Sequence, residues 1–227
     1  MPGVTGTDWS DIRERLAALA AERNAADGGR RMVPPPLSPA ELAEAEAQLG
    51  VELPEEYRSF LLKVNRGGWK PVPELWQVDG RWQWKGREHD NALDLLDQPF
   101  PHTDAWNLED FIEPEPLRED FASQKEFDAA LRDWWRRGVE IEDDPALTQG
   151  ALFLDDRGCG FSTLLVVSGP ARGSMWFDDR CVDGGLRPVL DDAGERVGFA
   201  HWYRRFLAQR YPVAGKTEDG ERWSTSG

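Results

Sequence analysis

The chain has 227 residues and carries 27 Lys plus Arg against 42 Asp plus Glu, for a formal charge of −15 and a pI near 4.7. Phosphate backbones are bound by Lys and Arg neutralising their charge, so this balance argues against nucleic acid as a direct partner and makes a basic protein partner electrostatically natural. With 40% hydrophobic residues, 22 Gly and 16 Pro, there is apolar material for a buried core and too little Pro plus Gly for a disordered chain. The longest apolar runs, such as Leu164 to Val167, fall far short of the roughly 20 residues of a membrane span. The first residues, Met1 to Asp8, show neither the basic start nor the apolar stretch of a secretory signal, and cytoplasmic residence is the expectation.

In chain order, Thr7 to Asn24 reads as an amphipathic helix, because Trp9, Ile12, Leu16 and Leu19 recur at helical spacing. Asp27-Gly28-Gly29 ends it, and the three consecutive prolines between Met32 and Leu37 form an extended connector that cannot be helical. A second helix starts at Ser38, with Pro39 in its first position and Glu41 completing a Ser-x-x-Glu capping box; Gly50 stops it. Pro54 opens a third helix, where Tyr57, Phe60, Leu61 and Val64 fall at i, i+3, i+4 and i+7 on one buried face. Leu75 to Val78 and Arg81 to Lys85 alternate around Asp79-Gly80, the pattern of a tight hairpin. Ala151 to Asp155, Phe161 to Val167 and Ser174 to Phe177 read as further strands, and Phe199, Trp202, Phe206 and Leu207 as a closing helix.

The segment from Glu88 to Asp120 stands apart. It holds 11 acidic residues and one basic residue, Arg118. Pro99, Pro101, Pro114 and Pro116 keep its backbone irregular, whereas Ser123 and Glu126 form a second capping box before a helix bearing Phe127, Leu131, Trp134 and Trp135. The organisation that follows is a helix and Pro-rich connector over 1–37, a main domain over 38–211 with an acidic insertion over 88–144 packed on the sheet, and a flexible tail over 212–227.

Residues 41 to 68, ELAEAEAQLGVELPEEYRSFLLKVNRGG, resemble the signature of the SUKH superfamily, which contains the yeast cell-wall assembly regulator and many bacterial toxin-immunity proteins. The matching steps are Leu49-Gly50, Leu53-Pro54, Glu56-Tyr57, Phe60-Leu61 and Asn65 with Gly67-Gly68. Arg66 departs from the pattern, since it separates Asn65 from the glycines where the family runs Asn directly into Gly. LFLDDRGCGFSTLLVVSG, GSMWFDDR and FAHWYRRFLAQR are similar to the family's later strands and final helix, so the resemblance covers roughly 38–86 and 150–210 and leaves out the insertion. Its residues are structural: Pro54 pre-sets a helix start, Tyr57, Phe60 and Leu61 are core, and Gly67 and Gly68 let the chain turn. None supplies a nucleophile or a base. The resemblance implies a non-enzymatic binding role, either neutralising a toxin, often a nuclease, or regulating an endogenous protein.

The pairs Asp143-Asp144, Asp155-Asp156, Asp178-Asp179 and Asp191-Asp192 could serve acid/base chemistry or a hard cation, but each lies at a strand end or turn, where Asp is favoured for local hydrogen bonds. His89, His102 and His201 are scattered, and neither they nor Cys159 and Cys181 have metal or redox spacing. Ser162 and Ser168 lack a nucleophile elbow, and the glycines around Cys159 precede a strand rather than a helix. No catalytic residue, cofactor or metal is therefore expected.

Of the 11 tryptophans, Trp9, Trp134, Trp135 and Trp202 read as core, while Trp82 and Trp84 share one face of the hairpin with Trp76 on the other. The insertion mixes Phe100, Trp106, Phe111, Phe121 and Phe127 among its acids, which a merely solvating loop does not need. The expected fold is α+β: N-terminal helices on a curved, mostly antiparallel sheet, with a C-terminal helix and the insertion over an edge or face. The expected contacts with a basic, toxin-like partner are Glu74, Trp76, Asp79, Trp106, Glu109, Asp110, Asp155, Asp156, Asp178 and Asp179.

Overall fold

The computed structural model describes residues 7–28, 33–86, 93–182 and 184–211. The expected tail over 212–227, Trp223 within it, and Glu88 and His89 lie outside the described residues. Three helices come first: α1 (Ser10–Asp27), α2 (Pro39–Leu49) and α3 (Glu55–Lys63). The hairpin β1 (Leu75–Val78) and β2 (Arg81–Trp84) follows, then the insertion with α4 (Gln124–Glu142). The chain closes with β3 (Ala151–Gly158), β4 (Phe161–Val166), β5 (Met175–Asp179), β6 (Gly185–Pro188) and α5 (Phe199–Arg210). The fold is α+β, and both sheets are antiparallel.

Local chemistry sets the helix ends. The Ser38 hydroxyl accepts from the Glu41 amide at 3.2 Å while the Glu41 carboxylate accepts from the Ser38 amide at 2.7 Å, and Ser123 with Glu126 does the same for α4. Gly50, at φ 71°, ends α2 in the left-handed conformation that glycine adopts without steric cost. α1 begins at Ser10 rather than Thr7, because the Asp8 carboxylate takes the Ser10 amide and hydroxyl and holds the preceding residues outside the helix.

The signature residues lie at the centre of the core. Tyr57, Phe60, Leu61 and Leu53 have no exposed surface. Phe60 meets Trp9 of the α1 cap at 5.6 Å and Phe199 and Tyr203 of α5 at 5.2 and 5.1 Å, mostly edge to face, so three helices converge on one ring. Trp9 also donates to Ser59 at 3.0 Å, and the Trp84 indole donates to the Tyr57 hydroxyl at 2.9 Å, which ties the hairpin to α3. Arg66 has a use: its amide and Nε both donate to the Pro35 carbonyl, anchoring the Pro-rich connector. Asn65 still makes its turn by accepting from the Gly67 amide at 2.8 Å.

The four-stranded sheet runs β3-β4-β5-β6. Its second and third strands bury every residue except Phe161, and the two faces feed different clusters. Leu152, Leu154, Leu165, Met175 and Phe177 join the helices, whereas Ala151, Leu164, Val166, Trp176 and Leu186 face Phe100 and Trp106 of the insertion. The insertion is thus a third layer. β6 has no counterpart among the strands expected from sequence, since Gly-Leu-Arg-Pro is too short and too irregular to show alternation. β3 runs on to Gly158 through two register shifts, the mark of bulges that bend an edge strand. Cys159 and Cys181 are both free and exposed.

Trp106 extends the sheet by one bridge, exchanging two backbone hydrogen bonds of 2.8 Å with Leu186 on the β6 edge. Gly185 makes that approach possible: a Cβ there would stand 2.0 Å from the Trp106 carbonyl oxygen, at φ 58°. Gly185→Ala is expected to cost about 2–4 kcal/mol in urea denaturation, from backbone strain plus the clash. Gly194→Ala, at φ 81° in open space, should cost only the strain, about 1 kcal/mol.

Candidate protein-binding surface

The insertion displays what it does not bury. Its chain from residue 93 crosses the sheet, places Phe100 and Trp106 on it, and returns under α4. α4 turns Phe127, Leu131, Trp134, Gly138 and Ile141 inward, and Gly138 is its one buried residue because Leu108 and Ile112 come within 3.5 and 3.8 Å of where a Cβ would sit. The Trp134 indole donates to the Glu113 carbonyl at 2.6 Å, pinning the helix to the strap beneath it. Trp135 does not join the core as expected: it is 58% exposed, with Val139 one turn on at 51%. Neighbouring residues on a helix point about 100° apart, and the inward face of α4 is narrow, with Gly138 as its one buried residue, so it takes Trp134 and leaves Trp135 outside.

Of the ten contact residues expected from sequence, three cluster here. Trp106, Glu109 and Asp110 lie on and beside a short 3-10 turn, Leu108–Asp110. Both carboxylates are exposed. Trp106 itself is 5% exposed, and its ring supports Phe111, stacked at 5.5 Å and 22° and itself 59% exposed.

Three more are internal, and for Asp178 and Asp179 the reason is arginine. Asp178 accepts from Arg180 through both oxygens at 2.9 and 2.8 Å, and Arg180 also donates to the Glu142 carbonyl at the end of α4. Asp179 is shared by Arg157 and Arg187, whose guanidinium groups lie 4.5 and 4.7 Å from the centroid of the Phe177 ring. Asp155 is 9% exposed. The two arginine-paired carboxylates hold the sheet end together, since leaving a buried charge unpaired costs several kcal/mol, roughly 3–5. Asp156 is exposed but serves its own turn, accepting from the Gly158 amide at 2.7 Å. Among the described residues no group of three or more His, Cys, Asp or Glu side chains could hold a metal.

The remaining three form a smaller patch on the hairpin. Trp76 is half-buried with the Lys85 ammonium 4.8 Å from its ring, and Lys85 also lies 3.8 Å from Glu74. Asp79 is exposed in the tight turn. Sequence reasoning did not single out Phe111, Ile141 or Leu147 as lining one cleft with Trp106, because 30 or more residues separate the two sides.

His102 is seated among Phe100, Trp106 and Trp176, with centroids 5.1, 6.3 and 6.3 Å away, and its Nε2 bonds the Leu147 carbonyl at 2.9 Å. Burial, with Arg180 nearby, pulls its pKa below the ordinary 6.5. The unfolded chain therefore binds the proton more readily, and stability is full above 6.5 and declines as pH falls towards the folded value. Urea midpoints measured from pH 7.5 to 5 should fall more in the native protein than in His102→Gln.

The profile of the SMI1 / KNR4 family (SUKH-1) matches residues 36–195. The chain belongs to the SMI1 / KNR4 family. The matched range runs from the connector through α2, α3, the hairpin, the insertion and the four-stranded sheet, and α1 and α5 flank it. No curated protein and no solved structure gives a significant match. SUKH domains are generally non-enzymatic and typically bind protein partners, as immunity or regulatory domains. Among the described residues no helix is long and apolar enough to cross a membrane.

Proposed function

We propose that this SUKH protein is a bacterial immunity protein that acts in the cytoplasm by binding and neutralising a basic, nuclease-type toxin. The observation that carries the reading is the exposed face of the insertion, where Glu109 and Asp110 adjoin the exposed ring of Phe111 in a segment of net charge −10. Carboxylates in that arrangement occupy the basic surface a nuclease uses for phosphate, and an aromatic supplies a desolvated anchor. Glu74, Trp76 and Asp79 on the hairpin are a second contact region, and Asp156 is a rim contact. The competing partner is an endogenous protein bound in a regulatory or scaffold role, which family membership accommodates equally well.

The test is co-purification with the basic nuclease-type domain encoded beside this gene, followed by kinetics of association at low and high salt. A stable complex that abolishes nuclease activity is the expected result. Glu109→Lys with Asp110→Lys should slow association about tenfold at low salt and flatten its salt dependence. An isolated gene, or a neighbouring toxin that neither binds nor is inhibited, would replace the immunity reading with the regulatory one.

A further inference from the structure

Beside α4 an open cleft of about 460 Å³ is lined by Trp106, Phe111, Ile141 and Leu147, with Glu140 and Asp144 at its rim. We infer that this cleft receives an arginine side chain from the protein partner, an inference that rests on the protein-binding reading above. Its volume suits one long side chain with its flanking backbone. Phe111 offers one face to Trp106 and the other to solvent, and the open face of an aromatic ring attracts a planar guanidinium. The aliphatic stem would lie along Ile141 and Leu147, and the charged head would meet Asp144 and Glu140, the latter held by Arg136 at 2.7 Å in an exposed pair of the kind that contributes little and that a second arginine can share.

Charge complementarity selects a cation over an apolar plug. Glu109 and Asp110 immediately precede Phe111, and their carboxylates enter no ion pair among the described residues. Arg137, the one cation on the lining, turns towards Asp133 at 3.6 Å. The protein already uses the same three-part arrangement internally, where the Phe177 ring, the guanidinium groups of Arg157 and Arg187, and the Asp179 carboxylate assemble at the end of the sheet. At the insertion the ring and the carboxylates are present, and the partner supplies the arginine.

The probe is the capped pentapeptide Ac-Gly-Ala-Arg-Ala-Gly-NH₂, titrated into the full chain while the Trp106 indole resonance is followed by NMR. Counterparts with norleucine or glutamate in place of arginine are run beside it. Saturable shifts with the arginine peptide, absent with the other two and about tenfold weaker in Phe111→Ala and in Glu140→Gln, are the expected result. Both substitutions are at exposed positions, and circular dichroism confirms that each variant is folded. Equal binding of the norleucine peptide, no saturable shift, or an unchanged response in both variants would overturn the assignment. The toxin experiment separates the two levels. A toxin bound equally well by Phe111→Ala removes the cleft from the interface and leaves the immunity reading intact, whereas a seated arginine peptide with no toxin bound supports the cleft and removes the toxin.

Discussion

A four-stranded sheet with apolar residues on both faces must be covered on both faces, and the rest of this structure follows from that requirement. Leu164 to Val167 is a continuous apolar run because its side chains alternate between two dry layers rather than between core and water. Helices α1, α3 and α5 cover one face, meeting around Phe60. The insertion covers the other, and without it Trp176, Leu164 and Leu186 would be a large exposed apolar patch of the kind that drives association. The insertion also occupies the β6 edge through the Trp106 bridge, so it shields both a face and part of an open strand edge.

Much of this was legible from local chemistry. Ser38-Pro39 with Glu41, Ser123 with Glu126, and Asp79-Gly80 each act within a few residues of themselves, so their caps and turn could be read from the sequence and are found in the structure. The Tyr57, Phe60, Leu61 face was legible for the same reason, since one helix carries its own periodicity. What could not be read was any feature that depends on distant residues. β6 exists because β5 pairs with it and Trp106 bridges to it, and neither partner is written into Gly185 to Pro188.

The acidic residues show the same division at the level of the site. Asp110 and Asp178 look alike in sequence, each beside a second acid and an aromatic. The structure separates them by supplying Arg180 to one and solvent to the other. Sequence reasoning counted both as surface charge because adjacency in sequence does not show that Arg180 folds back on Asp178 or that the pair is buried, and because the partners of the neighbouring Asp179, Arg157 and Arg187, arrive from other strands. A count of acids therefore overstates the interaction surface, and the insertion gains in relative weight once the sheet-end aspartates are set aside.

Trp106 links the two roles of the insertion. Its backbone is fixed to β6, its ring is packed among His102 and the sheet cluster, and Phe111 stacks on what remains. An exposed aromatic on a free loop would lose conformational entropy on binding, roughly 0.5–1.5 kcal/mol for each side chain immobilised. Stacking on a buried ring settles part of that cost during folding, so Phe111 is presented already ordered. The same packing that satisfies the sheet's second face thus pre-organises the surface offered to a partner, and weakening the seat at His102 or Gly185 should weaken recognition even though neither residue lines the cleft.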